Sequence, residues 1–288
     1  MAITTEDIKQ LREMTGAGIL DCKKALQDAD GDLDQAVETL RKKGLAAASK
    51  KASREANDGL VSAGISADGK IGAMVELNCE TDFVARTDDF QNFAAALLRQ
   101  VMEQPLHTVD ALLEAPFVGN PGRTVGQELT ETIAKLGENM RVPRVARFEL
   151  GGSGVIDSYI HIGGRVGVLV EVSGPASPEL AELAHDVALQ VAAASPRFVT
   201  EAEVPAAEIE AEKNIYRAQI AEDKKPDNIK ERIVEGKLNK WYSEITLMNQ
   251  VFVKDNDLTI AKLLQQKSKA LGSEIKIERF ARFELGAA

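Results

Sequence analysis

Apolar residues recur every three or four positions through the first 45 residues and then give way to continuous apolar runs, so the chain predicts helices first and strands after them. Ile8, Leu11 and Met14 line one face of a first helix. Thr4 is its N-cap, Asp7 holds the capping-box position, and Ile3 and Ile8 are spaced as a hydrophobic staple. The turn Thr15-Gly-Ala-Gly18 ends that helix. Ile19, Cys22, Ala25, Leu26 and Ala29 supply a second stripe, Gly31-Asp32 the next cap, and Leu33, Ala36, Val37 and Leu40 a third stripe that closes at Gly44. Three short helices with loops this tight predict a miniature bundle. Lys42, Lys43, Lys50, Lys51 and Arg54 then mark a basic linker helix or tether.

The remainder repeats itself. Gly69-Lys-Ile-Gly-Ala-Met-Val-Glu-Leu77 aligns with Gly164-Arg-Val-Gly-Val-Leu-Val-Glu-Val172 at an offset of 95 residues. Each is a strand after a glycine turn, followed by an apolar helix, Phe90 to Val101 and Leu180 to Ala194. Phe117 to Leu150 aligns without a gap onto Phe252 to Leu285 at an offset of 135, ending in Ala146-Arg-Phe-Glu-Leu150 and Ala281-Arg-Phe-Glu-Leu285. Two copies of strand–helix–helix–strand are therefore expected. The offsets differ because the second copy carries about 40 extra residues, near 201–246. There Val234, Leu238, Trp241 and Ile245 form a coiled-coil seam, with Ile209, Tyr216 and Ile220 opposing it more loosely. Pro226 in Asp223-Lys-Lys-Pro-Asp227 suits a turn between two helices. The insertion predicts a protruding antiparallel helical hairpin, which would either mediate a homodimer or dock on its own core.

The expected class is α+β: an N-terminal helical module and linker over 1–54, a first core repeat over 55–150, and a second over 151–288 that carries the hairpin. A net charge of −10 argues against direct nucleic-acid binding, which needs phosphate-neutralising cations, and favours protein partners. Two distant cysteines, Cys22 and Cys79, predict no disulfide framework and a reducing compartment. No apolar run approaches the ~20 residues of a membrane span. The first helix is acidic and amphipathic, unlike a signal or transit peptide. A cytoplasmic location is expected.

No catalytic constellation emerges, and no cofactor is expected. Gly16 and Gly18 follow no strand and precede no Gly-Lys-Ser, so they make no phosphate loop. Neither cysteine has a histidine nearby in sequence, and His107, His161 and His185 lack metal-ligand spacing. Gly151-Gly-Ser-Gly154 is small enough to cradle a phosphate but reads better as a flexible connector between repeats. The informative stretch is Val75-Glu-Leu-Asn-Cys-Glu-Thr-Asp-Phe-Val-Ala-Arg86. Met74 to Leu77 end a buried strand, the chain turns acidic, and then presents Phe83. The ring is either a core aromatic opening the next helix or a residue meant to enter a partner. In the second copy Ser173-Gly-Pro-Ala-Ser177 occupies this place, so the feature is not required by the fold.

The segment Thr81-Asp-Phe-Val-Ala85 resembles the most specific signature of bacterial elongation factor Ts, and Thr15-Gly-Ala-Gly-Ile-Leu-Asp-Cys-Lys-Lys-Ala-Leu26 resembles that family's N-terminal signature. The resemblance covers essentially the whole chain. It implies a UBA-like N-terminal module, no covalent chemistry, and nucleotide exchange on the GTPase elongation factor Tu. It further implies that Asp82 and Phe83, within Thr81 to Val84, intrude beside the Mg²⁺ site of that GTPase. Lys-Leu-Gly-Glu-Asn at 135–139 resembles the core contact segment, implicating Leu136 and Gly137. Ser158-Tyr-Ile-His161 resembles the second-half contact, implicating His161, and Ile19, Leu20 and Lys23 correspond to the module's docking face.

Residue by residue, other roles stay open: Ile19 and Leu20 as bundle core, Lys23 as a solvated charge, Leu136 as packing, His161 as a half-buried structural histidine, and Gly137 and Gly272 as helix C-caps. Many family members continue into a further C-terminal helix. This sequence stops at Leu285-Gly-Ala-Ala288, which implies that contact is missing. The rival function is a non-catalytic interaction scaffold.

Overall fold

Helix α1 (Thr5–Thr15) begins where Thr4 and Asp7 exchange hydrogen bonds, the Thr4 N–H donating to Asp7 Oδ2 (2.8 Å) and the Asp7 N–H to Thr4 Oγ1 (3.1 Å). The Thr4 N–H, and then the Thr4 hydroxyl, hold the Asp7 carboxyl below its usual range. The structure, a computed structural model, describes residues 3–15, 17–223 and 225–287; Gly16 of the first turn, Lys224 of the hairpin turn and Ala288 lie outside them. Leu11, Cys22, Ala25, Leu26, Ala29 and Ala36 make the core that α1 shares with α2 (Ile19–Asp28) and α3 (Leu33–Lys51). Met14 and Ile19 were expected in the buried stripes but are exposed. Both stand at helix ends, beyond the small centre that three short helices enclose.

Gly44 does not end α3, which runs on to Lys51. It lies where α3 meets α7 (Val125–Leu136), and a Cβ there would stand 3.3 Å from the Ala134 methyl. The glycine permits close helix approach rather than a stop. The predicted tether is thus the second half of α3, docked on the core with Ala48 packed against it.

Two three-stranded antiparallel sheets form the core. In the first, β2 (Ile71–Cys79) lies between β1 (Asp58–Ile65) and β5 (Arg141–Glu149). In the second, β7 (Val166–Ser173) lies between β6 (Gly154–Ile160) and β10 (Lys276–Glu284). The outer face of the first is covered by α5 (Asp88–Glu103), α6 (Val109–Glu114) and α7. That of the second is covered by α8 (Pro178–Ala194) and α11 (Ile260–Leu271). The inner faces meet over Val61, Met74, Phe148, Ile156, Leu169 and Phe283. The central strands are therefore buried on both sides, which is why they read as continuous apolar runs. The strands β1 and β6 were not anticipated as part of each repeat.

The duplication extends to details. Gly72 and Gly167, equivalent at the offset of 95, stand where the sheets approach most closely. A Cβ at Gly72 would lie 2.6 Å from Ile156 Cγ2, and one at Gly167 2.4 Å from Val61 Cγ1. Gly167→Val is expected to cost about 3 kcal/mol by forcing the sheets apart. Urea denaturation checks this, and a loss under about 1 kcal/mol would show that the sheets part freely. Arg144 donates to Glu76 in its own sheet (2.7 Å) and to the Glu284 carbonyl across the interface (2.7 Å), its guanidinium over Phe283. Arg279 does the same with Glu171, the Glu149 carbonyl and Phe148. Buried Gln100 bridges the Pro116 carbonyl and the Val118 N–H across the small hairpin of β3 (Pro116–Phe117) and β4 (Asn120–Thr124). Gln190 repeats this at β8 (Val251–Phe252) and β9 (Asp255–Thr259).

The insertion is a hairpin of α9 (Ala206–Gln219) and α10 (Asp227–Ile245), with Pro226 at the α10 N-cap. Val234 and Leu238 face inward as expected, but the next fully enclosed side chain is Tyr242, with Trp241 and Ile245 half-covered. At the hairpin base Phe198 and Val204, which precede α9, join Ile209 of α9 in covering this face, so it departs from a regular two-helix seam. The Gly151–Gly154 connector is pinned at its end by the Ser153 hydroxyl on the Gly174 carbonyl (2.7 Å). Glu149, Glu171 and Glu278 lie beside it against the cation Arg279, which is already paired with Glu171, a balance that disfavours a phosphate.

Candidate functional site

The strand β2 ends at Cys79, whose thiol donates to the Thr81 carbonyl (3.1 Å). Thr81, in an extended conformation, caps the one-turn helix α4 (Asp82–Ala85), its hydroxyl accepting from the Val84 N–H (3.4 Å). Successive helical residues point about 100° apart. Ala85 is buried and Val84 packs against the first-repeat core, so Phe83 must face out. It does, with 81% of its surface exposed. The core reading of Phe83 is thereby excluded. Asp82 lies 2.8 Å from Arg86, an exposed i,i+4 pair of the kind worth a few tenths of a kcal/mol, readily exchanged for another partner.

The loop after α7 braces this turn. Gly137 is the left-handed C-cap of α7 (φ 83°), as Gly272 is of α11 (φ 63°). Leu136 is half-buried against the core. One residue on, Glu138 accepts from the N–H groups of Glu80 (3.1 Å) and Thr81 (3.0 Å) and from the Thr81 hydroxyl (2.6 Å). Glu80 in turn accepts from the Asn139 N–H (2.6 Å), which holds its carboxyl below the usual range. The loops at 80–81 and 138–139 are cross-braced by two carboxylates.

Burial, and then the Glu138 charge, push the Cys79 thiol up to about 12. In the unfolded chain it ionises near 9.0, so the unfolded state loses its proton first and stability falls as pH rises from about 9 towards 12. Cys79→Ser is expected to flatten this alkaline loss. Thermal melts across that range compare the two, and parallel curves would contradict the buried thiol.

His161 lies beyond the end of β6 in the turn to β7 and is exposed, not half-buried, its Nδ1 3.0 Å from the Tyr159 hydroxyl. The same turn carries Ile162, 92% exposed. The Gly164 carbonyl accepts from the Val61 N–H (2.8 Å), and Arg165 pairs with Asp58 (3.1 Å). Asp58 lies opposite Cys79 in the sheet. The His161 turn and the Phe83 turn therefore flank the same half of β1. Ile19, Leu20 and Lys23 form a separate exposed patch on α2, with Leu20 82% exposed, so Ile19 and Leu20 are not bundle core.

Sequence reasoning placed Glu80 in the acidic turn and Glu138 and Asn139 in the 135–139 segment without giving them a role of their own, and passed over Ile162. For Glu138, the signal was available: where the copies align, Glu138-Asn139 faces Ser273-Glu274, an asymmetry like that of the Phe83 turn itself. Among the described residues no group of His, Cys, Asp or Glu is arranged to hold a metal ion, and no helix is long and apolar enough to cross a membrane.

The sequence profile described as Elongation factor TS matches residues 80–287. A protein named Elongation factor Ts from Clostridium perfringens (strain 13 / Type A) is 50% identical over 285 residues, 99% of this chain and 93% of its own length. Proteins of the same name from Trichlorobacter lovleyi and Clostridium kluyveri are each 48% identical, with the same coverage. Matched by that profile over residues 80–287 and by those relatives over 99% of its length, the chain belongs to the elongation factor Ts family of translation elongation factors.

Proposed function

We propose that this chain binds elongation factor Tu in its GDP form and speeds GDP release, with Thr81 to Val84 as a wedge directed at the Mg²⁺ and phosphate site. The supporting observation is Phe83, a large aromatic held in solvent on a braced turn, where burial against a partner is the gain left to it. Leu136 and Gly137, His161, and the α2 patch of Ile19, Leu20 and Lys23 are the remaining contacts of this reading. No covalent step is involved, so the chain acts by linkage. A factor that binds the nucleotide-free GTPase more tightly than the GDP form weakens GDP by the same ratio. A thousand-fold weakening needs about 4 kcal/mol of differential binding, within reach of a few buried contacts. GTP then rebinds and displaces the chain.

The test is release of a fluorescent GDP analogue from purified elongation factor Tu. Strong acceleration by the chain is expected. None, from a folded chain, would leave an interaction scaffold.

A further inference from the structure

A helix of one turn cannot fix its own direction, because most of its backbone groups lie at its ends. The Phe83 turn draws its rigidity from elsewhere. Three of its donors, the Glu80 and Thr81 N–H groups and the Thr81 hydroxyl, converge on the single carboxylate of Glu138, more than fifty residues away in sequence. Glu80 returns the brace to Asn139 and lies 3.3 Å from Arg54, whose carbonyl accepts from the Asn139 amide (2.7 Å). Ser273 and Glu274 occupy the equivalent positions of the second copy, and there the Ser268 hydroxyl and carbonyl take the loop N–H groups. The fold therefore closes this loop without a Glu138.

We propose that Glu138 is a positioning residue for Phe83, fixing the turn before the partner arrives. This deepens the exchange-factor reading and rests on it. A loose turn has to be ordered during insertion, and a braced one has already met that cost. His161 and the α2 patch lie on other elements, and Leu136 and Gly137 are held by α7 and its C-cap, so the loss of Glu138 acts on the insertion step and not on encounter.

Glu138→Gln keeps the shape but replaces one accepting oxygen with a donor. In GDP-analogue release titrated with the chain, its saturating rate is expected to fall about ten-fold, the effect of losing roughly one charge-assisted hydrogen bond. The concentration at half-saturation should stay within about two-fold of wild type, whereas Leu20→Ala should raise that concentration and leave the saturating rate. Labelling of Cys79 by a thiol reagent, located by mass spectrometry, should quicken in Glu138→Gln because the turn covers that thiol.

An unchanged saturating rate, or a change in half-saturation alone, overturns the proposal. If Glu138→Gln melts early, Thr81→Val and Thr81→Ser carry the same test. Valine should slow release and serine restore it, and equal rates overturn the idea. If wild type itself fails to accelerate release, the exchange reading has failed. The Cys79 labelling then decides alone whether Glu138 holds the turn, with equal labelling counting against it.

Discussion

Phe83→Ala is expected to leave the melting temperature of the chain nearly unchanged and to abolish most of its acceleration of GDP release. The first half follows from exposure. A ring with 81% of its surface in solvent supports almost no packing, and substitutions at such positions stay within about 0.5 kcal/mol. The Thr81 cap, the Glu138 brace and the buried Ala85 all remain. The second half follows from what anchors contribute to interfaces. An aromatic inserted into a partner pocket typically accounts for at least about 2 kcal/mol, equivalent to about thirty-fold in rate when the contact is made only in the exchange-competent complex. Melting curves beside nucleotide-release kinetics check both halves. A melting temperature lowered by many degrees would return Phe83 to the core. Full acceleration by a folded Phe83→Ala would move the mechanism to the other contacts.

Arg144→Met is expected to give the largest stability loss of any single change at the seam between the repeats. Glu76 is 1% exposed, and its carboxylate is matched by the Arg144 guanidinium, the Asn78 amide (3.1 Å) and the Gly286 N–H (3.1 Å). Removing the arginine leaves a buried charge without its counter-charge, a loss of about 3–5 kcal/mol. For a chain of this size that lowers the melting temperature by on the order of 10 °C. The methionine also forfeits the bond to the Glu284 carbonyl and the stacking on Phe283, which tie one repeat to the other. Arg279→Met should cost about half as much, because Glu171 and Arg279 are both more exposed than their counterparts. Replacing Glu76 as well, with Gln or Met, should recover much of the loss. Equal losses for the two arginines in urea denaturation would contradict the argument from burial.

The duplication was legible because it is written in identities and in apolar runs: α5 and α8 begin within two residues of the predicted helices, and β2 and β7 fill the aligned motifs. What escaped depends on partners distant in sequence. The strand β1 is glycine- and serine-containing with only Val61 fully buried, so its pattern is weak until β2 lies beside it. Gln100 and Gln190 look like surface residues until the small hairpins they clamp are in place. Gly44 carried a stop signal that helix packing overrode. Tyr242 replaced Trp241 because the hairpin base leans on the core. At the candidate site, Phe83 was singled out by its acidic turn, whereas Glu138 was read only within a segment attributed to Leu136 and Gly137, although its mismatch with Ser273 in the second copy marks it.

The two copies share their sheets, arginine clasps and glutamine clamps, yet they end their central strands differently. The strand β2 leads into the capped turn of Phe83, while β7 passes through Gly174 directly to the Ser177 cap of α8. A pair of identical halves would expose two such turns and engage two GTPase molecules at once. On the exchange-factor reading proposed above, divergence at one strand end sets the valency of each chain at one. Any assembly holding two GTPases then needs a second chain, however symmetric the fold within each.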